Sequence, residues 1–584
     1  MILIAMHDSK QLETVMRYHQ ETKHHFNRYA RALGSLDWAN QPNPFRRYEG
    51  AELIRLPVLR LDEEPLSPLY DQLYLPDAVP TAPVTARTLS RLFEYALALS
   101  AWKQAGASRW ALRSNPSSGN LHPTEGYLLI GAIDGLSSTP GLYHYAPKEH
   151  GLERRADCSG ELLAALMSEF PPRAFLVGLS SVHWREAWKY GERAFRYCQH
   201  DVGHAIGTVR IAAATLGWSA VVLIGLSDDT IEGLLGLDRA GDFEGAEREH
   251  PDLVVVIFPT DFAKNWRSGD KRVLPLCLDP ELARELTKQR WYGKATRLSP
   301  DDPVPWDIID HAADSSRKLT SDLHGLELPP PADAPHTSGL PPEGPLAGKI
   351  IHQRRSLLAC DGKTSIPAQY FYKMLMRVMP RVELEVLRRP VPWDAIPWDP
   401  TIHLGLFVHR VEGLAPGLYV LARDPAKADT LRKAMHAHFT WSVPSGCPPD
   451  LPLHLLEEGN AQRLATQVSC FQEIAGDGAF SLGMIAEYQA SLFAQGPWFY
   501  RRLFWETGVI GQVLYLEAEA AGVRATGIGC FFDDPVHQAF GFKDLVFQSL
   551  YHFTVGGPVD DPRLTTLPPY GEHVQEQEHG VDLP

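Results

Sequence analysis

The stretch of sequence that decides the fold occurs twice. Residues 196–236 read RYCQHDVGHAIGTVRIAAATLGWSAVVLIGLSDDTIEGLLG, and residues 501–541 read RRLFWETGVIGQVLYLEAEAAGVRATGIGCFFDDPVHQAFG. A constant shift of 305 positions, from 196 to 501, aligns the two copies without a gap. It places Gly203 on Gly508, Gly217 on Gly522, Asp228 and Asp229 on Asp533 and Asp534, and Gly236 on Gly541. Identities at these special positions favour a duplication over two unrelated helix–glycine–strand units.

Each copy predicts a buried helix that leads into a strand. Apolar or small residues lie on nearly all sides of the segment between Gly203 and Gly217, which is typical of a helix packed all round. The glycine ends the helix, and a short apolar run follows it in both copies. The tetrapeptide Pro-Gly-Leu-Tyr also recurs, at 140–143 and 416–419. We therefore predict an α+β fold with two homologous domains, each with a mixed or antiparallel sheet flanked by helices, packed on each other as a pseudo-dimer within one chain.

Length and proline content divide the chain. A chain of 584 residues is too long for a single hydrophobic core. From about residue 299 to 349 prolines accumulate, for example in LPPPADAPH at 328–336, and such a density predicts an extended linker. The predicted organisation is a first domain at 1–298, a linker at 299–349 and a second domain at 350–584.

Composition excludes several classes of function. The net charge of −15 argues against a nucleic-acid-binding protein, and no apolar run is long enough to span a membrane. The N-terminus lacks the basic start of a signal peptide and is expected to form a short strand or arm. Seven cysteines without a CxxC pair indicate reduced thiols in the cytoplasm.

Three motifs of the first half resemble one family. RSNPSSGNLHPTEGY at 113–127, WKYGERAFRY at 188–197 and DVGH at 201–204 resemble SagB-type dehydrogenases. These are flavoenzymes of the nitroreductase superfamily that oxidise thiazolines and oxazolines in ribosomal peptide natural products. In the diverged second half, HQRRS at 352–356 resembles the phosphate-binding start of nitroreductases. The resemblance implies FMN bound between the two domains, a peptide or small heterocyclic substrate, oxygen as the final acceptor and a cyclodehydratase partner.

The resemblance and the residue chemistry together predict one composite FMN site. Adjacent arginines suit a phosphate, a turn of hydroxyl-bearing residues suits the ribityl chain, and a glycine-bearing strand can approach the flavin ring closely. The predicted ligands are Arg354, Arg355 and Ser356 for the phosphate, with Arg563 as a second contact, then Pro116, Ser117, Ser118, Gly119 and Asn120, and finally Gly527, Ile528 and Gly529. The second half reads RRPVPWDAIPW at 388–398, where the serine loop would be expected. A second site is therefore predicted to be degraded, unless His19, Thr22 and Lys23 serve a second flavin.

Lys189 and Tyr190 are the predicted catalytic pair. Azoline oxidation removes a proton from carbon together with a hydride, and either side chain could act as the general base. The aligned positions of the second copy are Ala494 and Gln495, so one copy alone keeps the pair. Two alternatives remain, namely an NAD(P)H-dependent nitro or quinone reductase and a non-catalytic scaffold in a biosynthetic complex.

Other polar residues of the long helix predict structural roles. His200 and His204 share a helix face but lack an HExxH context, so no metal site is predicted. Arg193 and Arg196 are expected to pair with Glu192, Asp201 or the turn at 228–229.

Overall fold

The computed structural model describes residues 2–59, 67–264, 266–267, 272–328 and 344–571, with side chains from residue 9 onward. Two antiparallel sheets, one in each half of the chain, form its framework. In spatial order the first sheet contains Leu53–Arg55, Gly151–Asp157, Gly141–Ala146, Thr124–Ile130, Phe175–Ser181, His250–Pro259 and Trp218–Val222. The second contains Leu453–Glu458, Gly417–Leu421, Ile402–Val408, Phe480–Glu487, Phe547–Gly556 and Arg524–Ile528.

Smaller sheets connect distant parts of the chain. Thr565–Leu567, near the end of the described chain, pairs with Leu99–Ala105 of the first half, which in turn pairs with Ser108–Arg113. The remaining strand pairs are Tyr48–Glu49 with Lys294–Ala295, Val273–Pro275 with Gly325–Glu327, and Ile366–Pro367 with Val411–Glu412. The three-stranded sheet therefore ties the end of the second half to the first.

Helices cover both sheets. They are Ile2–Glu21, Ala86–Ala96, Gly160–Leu166, His183–Tyr190, Ala194–Ala214, Asp228–Leu235, Thr260–Lys264, Pro280–Thr287, Asp307–Ser315, Ala347–Gln353, Ala368–Arg377, Ala428–Ala434, Gln462–Val468, Ile474–Asp477, Tyr488–Gln495, Phe499–Ala520 and Asp533–Phe540. In the described part of the chain, no helix is long and apolar enough to cross a lipid bilayer. The strand or arm expected at the N-terminus is wrong. There, Leu12, Val15 and Met16 pack into the core at helical spacing rather than with a period of two.

The two long helices cross at the aligned glycines. Ala194–Ala214 and Phe499–Ala520 are buried along almost their whole length and pack against each other. A Cβ atom on Gly203 would lie 2.8 Å from the Gly508 Cα, and one on Gly508 would lie 2.7 Å from the Gly203 Cα. The residues that the duplication superimposes thus meet each other, as expected at a two-fold axis. This confirms the predicted pseudo-dimer, and the close crossing explains why both positions are glycine.

Two equivalent buried ion pairs connect the two halves of the chain. Arg196 binds Asp533 at 2.9 Å, and Arg501 binds Asp228 at 2.7 Å. Arg196 and Arg501 are equivalent under the shift, as are the two aspartates, so each half donates an arginine to the other. Burial opposes ionisation of Asp533, but Arg193 and Arg196 hold its pKa well below the usual range. The expected pairing of these arginines within the first domain is wrong, because the acceptor is the equivalent aspartate of the other half.

The proline-rich segment contains regular structure at its start. Asp307–Ser315 is helical and packs on the helix Ile2–Glu21, and Gly325–Glu327 pairs with Val273–Pro275. The expected extended conformation is therefore wrong for these residues. Between Pro305 and the proline cluster the chain carries no proline, and Ile309 and Ala312 are buried. Residues 329–343, which hold that cluster, lie outside the described residues, and the proposed domain boundaries stay a prediction.

Candidate functional site

A cavity of about 1220 Å³ lies between the two halves. The first half contributes the loop at 116–120, and the second contributes residues 354–358 and 526–530. The predicted site residues that line it are Pro116, Ser117, Ser118, Gly119, Asn120, Tyr190, Arg354, Arg355, Ser356, Gly527, Ile528 and Gly529. The fold therefore brings together segments that are more than 400 positions apart in sequence.

One end of the cavity is a cluster of cations. Arg354 and Arg355 follow the helix Ala347–Gln353 and donate hydrogen bonds to backbone carbonyls, at 2.8 Å to Arg113 and 2.7 Å to His352. Among the described residues, no carboxylate forms an ion pair with either guanidinium. Burial, Arg354 and Arg524 lower the pKa of Arg355 to about 10, against the opposing charge of Glu519. Burial and the same kind of repulsion from Arg355 and Arg524 lower the pKa of Lys103.

This end of the cavity fits a phosphate dianion. Neighbouring cations that depress each other's pKa are stabilised when an anion binds among them. The Nε atom of Arg354 is also buried without a hydrogen-bond partner. The donor set therefore agrees with the phosphate of an FMN.

The loop at 116–120 is held by a buried acid. Asp201 of the long helix accepts hydrogen bonds from the Ser118 backbone N–H at 3.0 Å and from the Ser118 hydroxyl at 3.1 Å. Burial raises the pKa of Asp201 to about 7, although hydrogen bonds from Ser117 and Ser118 oppose the shift. The sequence reasoning did not assign Asp201 to the site. The available signal was the DVGH motif at 201–204, which carried the family resemblance but did not indicate a contact with the loop.

Gly527 and Gly529, at the end of the strand at 524–528, also make room for neighbouring side chains of the protein. A Cβ on Gly527 would collide with the Tyr551 hydroxyl, and one on Gly529 would collide with the Tyr197 ring. The Gly527 N–H donates to the Tyr515 hydroxyl at 3.0 Å. Tyrosines from both halves therefore pack over this strand, and the missing side chains make room for them.

Lys189 and Tyr190 lie at the end of the helix His183–Tyr190, against the serine loop. A Cβ on Gly119 would lie 2.5 Å from the Tyr190 hydroxyl oxygen and 3.0 Å from the Lys189 Nζ. Burial, followed by the charge of Glu186, raises the pKa of Tyr190 well above its usual value. Tyr190 is thus a neutral phenol at physiological pH, suited to donating a hydrogen bond and poorly suited to acting as a base. Glu186 is buried, and neither of its carboxylate oxygens has a hydrogen-bond partner in the described part of the chain.

The remaining candidates have other contacts. Arg563 is not among the residues that line the cavity, although Asp561, with which its exposed guanidinium pairs at 2.7 Å, is one of them. The three N-terminal candidates for a second flavin contact protein groups instead: His19 bonds Gln548, Thr22 donates to the Tyr18 carbonyl and Lys23 pairs with Asp534. His200 bonds Thr507, and His204 contacts Tyr551.

The pseudo-two-fold axis identifies the counterpart of the cavity. The Tyr70 N–H donates to the Pro345 carbonyl and the Ala347 N–H donates to the Pro68 carbonyl, both at 2.9 Å. This reciprocal bridge aligns the Pro-Leu steps at 68–69 and 345–346, a shift of 277 positions. By that shift, Arg354, Arg355 and Ser356 correspond to Asp77, Ala78 and Val79 in the first half.

The counterpart is a second cavity of about 1140 Å³ with a different lining. Asp77 occupies the position of the first phosphate arginine and pairs with Lys264 at 3.1 Å. Arg210, which aligns with Tyr515, makes two hydrogen bonds of 2.8 and 2.7 Å to Asp394 in the loop at 388–398. Arg354 and Arg355 thus have no arginine at the equivalent positions of this cavity, and the serine loop is replaced by the loop at 388–398. Other cations line it, among them the adjacent Arg388 and Arg389.

Comparison with known proteins gives a family match within the first half. Residues 80–246 match the Nitroreductase family. A match to this family suggests oxidoreductase activity, and proteins of the family generally bind a flavin.

Two curated proteins are similar to parts of the chain. A protein of Methanocaldococcus jannaschii with the provisional name of a nitroreductase is 29% identical over 159 residues, 26% of this chain and 76% of that protein. The trifolitoxin-processing protein TfxB of Rhizobium leguminosarum biovar trifolii is 31% identical over 132 residues. That match covers 21% of this chain and 35% of TfxB, so the chain spans about a third of this relative.

A solved structure shows how far the fold extends. A crystal structure of a protein from Anabaena variabilis, provisionally named a nitroreductase, superimposes with a TM-score of 0.63 at 20% identity. The superposition covers 94% of this chain and 99% of the other. The nitroreductase fold therefore accounts for both halves.

Proposed function

We propose that this protein is an FMN-dependent oxidoreductase that oxidises an azoline, or a related heterocycle, in a peptide. The observation that carries the proposal is the single cavity that joins the loop at 116–120 with Arg354, Arg355 and Ser356. The counterpart cavity has Asp77 at the position of Arg354 and the loop at 388–398 in place of the serine loop, which supports one FMN per chain. The motifs at 113–127 and 188–197 support the azoline class, as does the similarity to a protein named for trifolitoxin processing.

Several residues in and beside the cavity have a defined part in this proposal; Lys189 lies beside the loop at 116–120 and is not itself a lining residue. Arg354, Arg355 and Lys103 bind the phosphate, and Asp201 fixes the serine loop against the flavin. FMN, when bound, supplies the chemistry of accepting a hydride from the substrate and returning the electrons to oxygen. Lys189, beside Gly119, accepts the proton that leaves the substrate carbon, and the neutral Tyr190 hydroxyl donates a hydrogen bond to the substrate. A cyclodehydratase is the partner that would supply the azoline.

Flavin content and two matched variants test this function. The purified protein is denatured and the released FMN is quantified per chain, and turnover is then followed on a thiazoline-containing peptide. We expect about one FMN per chain. Lys189→Ala should keep FMN and lose at least about 100-fold in turnover, the usual contribution of a general base. Gln495→Ala, an exposed position equivalent to Tyr190 in the second half, should leave both quantities unchanged.

The other outcomes separate the alternatives. Two FMN per chain would refute the proposal that one of the two cavities binds FMN and the other does not. Rapid bleaching of the flavin by NADH, without thiazoline turnover, would favour a nitro or quinone reductase. A protein that cannot be loaded with FMN would be a scaffold rather than an enzyme.

A further inference from the structure

Two cysteine thiols meet at the edge of the cavity. Cys530 directly follows Gly529 and forms part of the cavity wall, and its thiol is hydrogen-bonded to that of Cys470. Both side chains are partly exposed, whereas Cys158, Cys198 and Cys277 are buried. The two sequence positions are 60 residues apart, and the fold has brought them into direct contact.

The backbone around the two thiols is fixed by hydrogen bonds on either side. The Phe532 N–H donates to the Val468 carbonyl at 2.8 Å. The Gln472 side-chain amide donates both to the Ser469 carbonyl at 3.0 Å and to the Cys530 carbonyl at 2.9 Å. These contacts hold the two cysteine-bearing segments side by side.

The segment that carries Cys470 is also conformationally strained. Cys470 and Phe471 have φ angles of +54° and +57°, a region that side-chain-bearing residues seldom adopt. Two successive residues in this conformation persist only when their surroundings impose it, and such strain concentrates at functional positions. The strained turn presents the Cys470 thiol to Cys530.

The electrostatic surroundings make Cys530 the more reactive thiol. The hydrogen bond from Cys470 lowers the pKa of Cys530, and the charge of Arg193 assists it. Burial opposes this effect, as does the charge of Asp533, which pairs with Arg193 at 3.1 Å. The Arg193 guanidinium is held in place by a hydrogen bond of 3.2 Å to the Gly529 carbonyl. A thiolate beside a cation is the nucleophile in thiol–disulfide exchange.

We propose that Cys470 and Cys530 form a redox-active dithiol, which a small disulfide-class oxidant converts into an intramolecular disulfide at the edge of the cavity. The Cys530 thiolate attacks one sulfur of the oxidant, breaks its S–S bond and releases one thiolate. The Cys470 thiolate then attacks the Cys530 sulfur of the mixed disulfide and releases the second thiolate. The two cysteines lose two electrons, the oxidant becomes two thiols, and the two cysteine protons go to the released thiolates.

The new bond would tie the end of the strand at 524–528 to the segment at 468–472. That strand forms one wall of the cavity, so oxidation restrains the wall without adding any group to the opposite loop. The reaction needs only the protein and the oxidant. It therefore stands or falls independently of the proposed FMN chemistry.

Thiol counting and peptide mapping test the dithiol. The full chain is incubated with excess glutathione disulfide at pH 8, denatured and titrated for free thiols, and then digested without reduction for mass spectrometry. We expect the wild type to lose two thiols and to yield a peptide that links Cys470 to Cys530. Cys447→Ser, which removes a partly exposed cysteine bonded to carbonyls, should behave in the same way.

Two single variants separate the two steps. Cys470→Ser should accumulate glutathione on Cys530, because the resolving thiol is missing. Cys530→Ser should lose no free thiol and should not yield the linked peptide. The proposal is overturned if the wild type loses no thiols, if the bond maps to another pair, or if Cys530→Ser still loses two. Should a serine variant fail to fold, the wild-type peptide map decides the question.

Discussion

Replacing Asp201 with asparagine measures the free-energy cost of ionising this carboxyl group, which lies against the loop at 116–120, in the folded chain. The pKa of this carboxyl group is about 7 in the folded chain, against an ordinary value of 3.8. Because the folded state keeps the proton to higher pH than the unfolded chain does, the group destabilises the protein progressively from about pH 4 to pH 7. At about 1.4 kcal/mol per pKa unit, the full cost above pH 7 is roughly 4 kcal/mol.

Asparagine has nearly the same shape and carries no charge. Its side-chain carbonyl can still accept the hydrogen bond from the Ser118 N–H. Asp201→Asn should therefore raise the free energy of unfolding relative to the wild type, by roughly 4 kcal/mol at pH 8 and by roughly 2 kcal/mol at pH 5.5. The diagnostic quantity is the difference of about 2 kcal/mol between the two pH values.

Urea unfolding of the wild type and the variant at both pH values gives this difference. Asp252→Asn is the matched control. Burial likewise raises the pKa of Asp252 to about 7, and this residue bonds Ser181 and Gln199 instead of the cavity loop. If Asp252→Asn shows the pH-dependent gain and Asp201→Asn shows a constant one, Asp201 is ionised in the folded state, and the reasoning about the loop is refuted.

Three further predictions concern the site and the interface. Arg355→Gln should weaken FMN binding by about 10- to 100-fold in a fluorescence titration, since it removes charge-assisted bonds to the phosphate, and Arg563→Gln should leave binding unchanged. Gly203→Ala should lower the free energy of unfolding by about 2 kcal/mol or more, because the new Cβ meets the backbone of the other long helix. Gly160→Ala is the control and should have almost no effect, because open space surrounds Gly160. Asp533→Asn should cost about 3–5 kcal/mol in the same assay, since it leaves two buried arginines without their shared acceptor.

The sequence predicted the duplication and the pseudo-dimer, because the special positions of one copy recur at a constant shift in the other. It did not predict where the two long helices cross. Gly203 and Gly508 are equivalent positions of the two copies. Because neither has a side chain, the backbones of the two long helices come into close contact there. Pairings across the interface could not be predicted in the same way. In a duplicated chain Asp228 and Asp533 are equivalent, so the sequence alone does not say whether Arg196 binds the acid of its own half or that of the other.

The composite cavity was predicted from motifs, whereas the groups that tune it were not. Arg354, Arg355 and the serine loop carry recognisable chemistry in a few consecutive residues. Asp201 and Tyr551 act through burial and through neighbours that are distant in sequence. Asp201 belongs to the DVGH motif, but the motif does not show which group the acid contacts, and Tyr551 has no local pattern that distinguishes it from an ordinary core residue. Arg563, predicted as a second phosphate contact, pairs with Asp561 two positions earlier and is exposed.

The ion pairs between the two halves retain the two-fold symmetry of the duplication, whereas the two cavities do not. Arg196 with Asp533 and Arg501 with Asp228 are related by the pseudo-two-fold axis, and losing either aspartate leaves a buried arginine without its carboxylate. The cavities lie off the axis, so a change in one leaves the other intact. The charge at Asp77, opposite in sign to that of Arg354, is thus tolerated in the first half while the cation cluster persists in the second. A fused chain can lose one of two equivalent sites in this way, whereas a homodimer encodes both with the same residues and cannot.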